Sequence, residues 1–167
     1  MRVFVAVLLS VLGASLVEGR IVTKCEVQEA LNGTQGLTQD LLAKIVCYVE
    51  LASGFNTSAV TRLDDNESSD SSEEKPKKVH SLYGLFQLSN QVVCSDGASP
   101  SYNICTMSCN NLIDDTLSDD LQCVSKVVGA LKKKGFQAKS IEKLKQWFMN
   151  IYRQCGNKTS ADLDVCV

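Results

Sequence analysis

Leu41, Leu42, Ile45, Val46 and Val49 recur at helical spacing between Thr38, a candidate cap, and Gly54, a candidate stop. The pattern predicts a central buried helix. Ahead of it, Thr23-Lys24-Cys25-Glu26 has the form of a capping box, which predicts a shorter helix from about Lys24 toward Leu31 that stops near Asn32-Gly33. Leu121, Val124, Val127, Val128 and Leu131 mark a third helix, ending in Lys132-Lys133-Lys134-Gly135, where basic side chains complement the helix C-terminus. A fourth starts from Ser140, with Ile141, Leu144, Trp147, Phe148 and Ile151 on one side. Between the helical ends, Leu82 to Leu88 is aromatic and apolar with Gly84 inside, which suits a short strand or hairpin arm. Helices at both ends of a small β segment make an α+β domain of two lobes, with room for a cleft between them.

Two stretches fall outside this periodicity. Val3 to Val17 is an apolar run preceded by Arg2 and followed by Glu18-Gly19-Arg20; it reads as a secretory signal, residues 1–19, cut after Gly19. It is too short for a confident membrane span, and no later segment qualifies. The remainder, 20–167, fits one domain with a sizeable core. From about 63 to 79 the chain turns to Asp, Asn, Ser, Glu and Lys with Pro76, too polar to order itself, and is read as a disordered acidic insertion. Ser71 and Ser72 within it each have Glu two residues on, a pattern open to acidic-directed kinases.

The eight cysteines all follow the signal, and an even count in an oxidising compartment argues for four bridges. Their connectivity does not follow from the count. Zinc is disfavoured, because His80 is the sole histidine and no Cys-x-x-Cys occurs. Sequons at Asn32, Asn56, Asn66 and Asn157 suit a secreted, extracellular glycoprotein. A net charge of −2 without a basic stripe argues against nucleic acid as partner. A monomer is expected.

The densest chemistry lies between Cys109 and Cys123, where Asp114, Asp115, Asp119 and Asp120 share a short loop. Calcium takes six to eight hard oxygen ligands, and three carboxylates plus backbone carbonyls supply most of them. The competing reading is a solvated helix start, with Ser118 and Asp119 capping the third helix.

Cysteine spacing, Ser53-Gly54-Phe55-Asn56-Thr57, Tyr83-Gly84-Leu85-Phe86-Gln87-Leu88-Ser89-Asn90, Asn103-Ile104-Cys105 and the acidic loop together resemble the C-type lysozyme/α-lactalbumin family (glycoside hydrolase family 22), and its α-lactalbumin branch more closely. The resemblance implies a lysozyme-like α+β fold, a helical lobe and a small β lobe, with Cys25 paired to Cys166, Cys47 to Cys155, Cys94 to Cys109 and Cys105 to Cys123. Setting Glu142–Trp147 on the family's C-terminal helix would instead leave Ser140 and Met149 at cysteine positions; the even thiol count favours Cys155 and Cys166 and makes Trp147 the cleft-side tryptophan of the fourth helix. The resemblance also implies a Ca2+ ion held by the side chains of Asp114, Asp119 and Asp120 and the carbonyls of Asn111 and Thr116.

It does not carry over catalysis. A retaining glycosidase needs an acid and a second carboxylate about 5 Å apart, and the matching positions are Ala52 and Leu82. Glu50 lies two residues from Ala52, a rotation of about 200° on a helix. Val92 and Val93 replace the tryptophans that stack on sugars. The sequence therefore points to a secreted calcium-binding protein that acts by binding, on the family analogy a modifier of a galactosyltransferase. The alternative is a peptidoglycan hydrolase with relocated carboxylates.

Overall fold

The computed structural model describes residues 19–64, 79–133 and 138–166. The signal reading at 1–18, most of the insertion with Asn66, Ser71 and Ser72, and Gly135 lie outside them.

Helix α1, Lys24–Asn32, opens as its capping box predicts: Thr23 Oγ1 accepts the Glu26 amide at 3.1 Å. Helix α2, Gln39–Ser53, is capped by Thr38, whose hydroxyl accepts from Leu41 N at 3.2 Å, and ends at Gly54 in the left-handed region (φ 58°). Helix α3 runs from Leu117 to Lys132, so it begins before Leu121 and stops before Lys134. Its N-cap is Thr116, without a side-chain cap bond, which corrects the reading of Ser118 and Asp119 as caps. Both lie inside the first turn. Helix α4 spans Ala138–Cys155, two residues longer at its start than the apolar pattern indicates.

The β lobe is an antiparallel sheet ordered β1 (Val60–Asp64), β2 (Val79–Tyr83), β3 (Leu88–Ser89). Val60 stands opposite Tyr83 and Asp64 opposite Val79. Leu63, Asp64 and Val79 are thus strand residues rather than part of the insertion. Leu82–Leu88 is not one arm either: the chain reverses between Tyr83 and Leu88, with Gly84 at φ 71° and Gln87 at φ 48°. A non-glycine residue rarely holds such a φ, and here the Gln87 side chain secures it, donating to Gly84 O (2.9 Å) and Ala59 O (3.2 Å) and accepting from Thr61 Oγ1 (2.6 Å).

A single apolar cluster joins the two lobes. Leu31, Ile45, Val49, Val127 and Ile151 come from the helices, Leu85 and Phe86 from the β turn, all at most 2% exposed. Burial of each such side chain is worth about 1.5–3 kcal/mol. Trp147 on α4 meets Tyr48 edge-on at 6.4 Å and donates its indole N–H to Phe86 O at 2.9 Å, stitching the helical lobe to the β turn. Cys25–Cys166 and Cys47–Cys155 close loops of 141 and 108 residues, and Cys94–Cys109 and Cys105–Cys123 close loops of 15 and 18. The short pair pins both sides of the acidic segment. With Cys155 and Cys166 bonded, the register that set Ser140 and Met149 at cysteine positions does not apply.

Asp96 organises the loop beyond the sheet. It accepts from Ala98 N (2.9 Å) and Ser99 N (2.7 Å) and from the side chain of Asn90 (2.7 Å), which is buried and in turn accepts from Ser81 N at 3.1 Å. The Ser99 amide is the main reason this carboxyl titrates at about 2 rather than 3.8. Its contribution is present above pH 3.8 and lost as pH falls through about 2. Asp96→Ala, which leaves a buried Asn90 donor unpaired, is expected to cost about 1–3 kcal/mol at neutral pH. Thermal melts of the two proteins should converge in strong acid.

Candidate metal centre

The acidic segment enters through a 3-10 turn, Cys109–Leu112, whose start is tied by Cys109 N to Ser95 O at 2.9 Å and whose Ser108 hydroxyl accepts from Asn110 N. Asp114 Oδ1 accepts from Thr116 N at 2.7 Å, bending the chain into α3. In the first turn of that helix, Asp119 accepts from Asp120 N (3.2 Å) with one oxygen and from the Asn111 side chain (3.3 Å) with the other. Nothing in the sequence singles out this contact of the Asn111 side chain.

Asp120 differs from its neighbours. It is 1% exposed, and its Oδ1 has no hydrogen-bond partner. Burial first, then the nearby charges of Asp119 and Asp114, push its carboxyl up to about 9. The sequence held the signal for this burial: Asp120, Cys123, Val124 and Val127 follow the i, i+3, i+4, i+7 pattern of a core-facing stripe. Leaving a buried acceptor unpaired costs about 1–3 kcal/mol, and more when it is charged. Asp115, by contrast, accepts from Thr57 Oγ1 at 3.3 Å, on the β-lobe side of the loop.

Among the described residues no three His, Cys, Asp or Glu side chains are drawn together closely enough to hold a metal alone. Like charges resist such gathering, and the ligand set implied by the resemblance takes two of its five members, Asn111 and Thr116, through backbone carbonyls. An orphaned, buried carboxylate oxygen flanked by two further carboxylates fits a hard cation, which would supply the missing partner and offset the mutual repulsion. His80 lies on β2, opposite Leu63.

A sequence profile of the C-type lysozyme/alpha-lactalbumin family matches residues 20–155. The chain belongs to that family. It is 35% identical to the alpha-lactalbumin of Bos taurus over 151 residues, covering 88% of this chain and 96% of that protein. Against the Homo sapiens alpha-lactalbumin it is 32% identical over 154 residues, with the same coverage. The Papio cynocephalus protein is 34% identical over 132 residues, 75% of this chain and 94% of that one.

Ala52 and Leu82 are the residues that the resemblance sets at the positions of the catalytic carboxylates. Ala52 is half-buried on α2 and packs against the core, and Leu82 is half-buried on β2 between Thr61 and Ser89. Neither side chain carries a proton donor or a negative charge. Glu50 is exposed on α2, apart from the core-packed face of Ala52. Val92 and Val93 are each 1% exposed and offer no open face on which a sugar ring could stack. Of the sequons, Asn32 and Asn157 are exposed; Asn56 is half-buried with its carbonyl oxygen accepting from both the amide and the hydroxyl of Ser58.

Proposed function

We propose that the protein is a secreted, calcium-stabilised family member that acts by binding a partner rather than by hydrolysis. The observation that carries this reading is Asp120, whose buried and unpartnered oxygen sits among carboxylates in the loop where the resemblance expects calcium. Asp114, Asp119 and Asp120 would hold the ion with the carbonyls of Asn111 and Thr116. Bound there, calcium supplies positive charge and a coordination shell that fix the junction between the two lobes. The chain's own residues do the rest: Asp114 bends the backbone, Asn111 orients Asp119, and the Cys105–Cys123 bridge keeps both sides of the loop together.

The non-hydrolytic part rests on Ala52 and Leu82. General acid catalysis contributes roughly 100- to 10,000-fold, and neither position supplies an acid. The partner reading rests on the likeness to alpha-lactalbumins. A glycosyltransferase of the secretory pathway, such as a galactosyltransferase, is the partner class.

The purified protein should release no product from bacterial cell walls or chitin oligomers above background at acidic, neutral or basic pH, while changing the acceptor preference of a galactosyltransferase when added to it. Robust lysis that disappears in Glu50→Gln would replace this reading with the hydrolase. An unaltered acceptor preference would remove the transferase partner and leave the metal-stabilised scaffold.

A further inference from the structure

Arg20 is linked to the acidic loop through one hydroxyl. Arg20 N donates to Thr57 Oγ1 at 2.9 Å, and that hydroxyl donates to Asp115 Oδ1 at 3.3 Å. Thr57 is fully buried. The segment that follows is anchored by a short antiparallel contact: Thr57 N donates to Arg20 O at 3.0 Å, Ile21 bridges to Asn56, and Val22 N donates to Phe55 O at 3.0 Å with the Val22 side chain buried. The Arg20 guanidinium is committed elsewhere, to Glu26. Immediately before Arg20 the backbone is crowded, since a Cβ on Gly19 would lie 2.0 Å from Ser58 Cβ.

We propose that Thr57 and Asp115 form the seat of a processed N-terminus, the α-ammonium of Arg20, so that cleavage after Gly19 locks the first segment onto the acidic loop. The step is hydrolysis: water adds across the Gly19–Arg20 amide, the C–N bond breaks, Gly19 leaves with the new carboxylate, and the Arg20 nitrogen keeps the protons. A neutral N–H donor becomes a cation at the same atom, one hydroxyl away from a carboxylate. Hydrogen bonds with an ionised donor are roughly twice as strong as neutral ones, and positive charge here also offsets the crowding of Asp115 beside Asp114. The inference rests on the cleavage site read from the sequence and not on calcium.

The test has two parts. N-terminal sequencing of the secreted protein should return Arg20 as the first residue. A chain beginning at Arg20 should then melt several degrees above the same chain carrying one additional Met before it, because the extra residue turns Arg20 N back into an amide. In Asp115→Asn, and separately in Thr57→Val, the gap between the two chains should shrink to a degree or less. It should appear both with calcium and with chelator, which separates its failure from failure of the metal reading. A different mature N-terminus, equal melting of the two chains, or an equal gap in all backgrounds would overturn the proposal.

Discussion

Gly84→Ala is expected to be the most damaging alanine substitution among the described glycines. At φ 71° an L side chain is already strained, by roughly 1–2 kcal/mol. The steric clash costs more. An alanine Cβ would lie 1.7 Å from Leu112 O and 2.8 Å from Leu112 C, atoms of a backbone that cannot swing aside. Leu112 is itself buried at the end of the 3-10 turn that leads into the acidic segment, and Gly84 N donates to Ala59 O at 2.7 Å. Relief therefore requires the β turn to leave the 3-10 turn, which separates the sheet from the segment presenting the candidate ligands. A loss beyond about 4 kcal/mol is expected, in the range reserved for gross packing failure, seen as lost near-ultraviolet dichroism and lost cooperativity on melting. Gly129→Ala is the control. Its Cβ meets nothing within 4 Å on α3, and alanine in a helix is favoured over glycine by up to about 1 kcal/mol, so this variant should melt at or above the parent. Near-parental melting of Gly84→Ala would show that the close approach of the two turns is not rigid.

The same glycine shows what local sequence conveys and what it does not. Helices α1 and α2 are legible because their signals are local: Thr23 and Thr38 sit where a hydroxyl reaches an amide three residues on, and Gly54 stands where the backbone turns left-handed. Strand β1 is not. Val60–Asp64 is fixed by register against Val79–Tyr83, a pairing set by distant residues, and the polar stretch that follows hides its last two members. The turn after Tyr83 looks like strand because its residues are apolar, whereas the reversal depends on Gln87, a residue with no intrinsic preference for φ 48°. The acidic loop is legible as a cluster of carboxylates, but not the inequality among them. Asp115 and Asp120 look alike in sequence; the first contacts Thr57 on the β lobe and the second is buried on the core face of α3. Helical periodicity run back from Leu121 to Asp120 reveals that difference.

Removal of calcium should lower the melting temperature by roughly 10 °C, and Asp120→Asn should nearly abolish that dependence. A ligand that binds the native state alone stabilises it by RT ln(1 + [L]/Kd), about 4 kcal/mol at a thousandfold excess over Kd, and each kcal/mol moves the midpoint of a domain of this size by about 2–4 °C. The charge on Asp120 has two opposed effects. With a cation present it is a ligand whose oxygen has no other partner. Without one, burial and the charges of Asp119 and Asp114 oppose its ionisation, and folding must hold the carboxyl protonated at a cost in stability. An asparagine of the same shape removes both at once. In chelator, Asp120→Asn should melt at or above the parent; in excess calcium it should melt well below, and its own curves in the two conditions should nearly coincide. A purely structural role for Asp120 predicts instead that the variant is less stable than the parent in both conditions by the same amount. Coincident curves for the unaltered protein with calcium and with chelator would dismiss the metal centre outright, leaving the buried oxygen as an uncompensated cost within the fold.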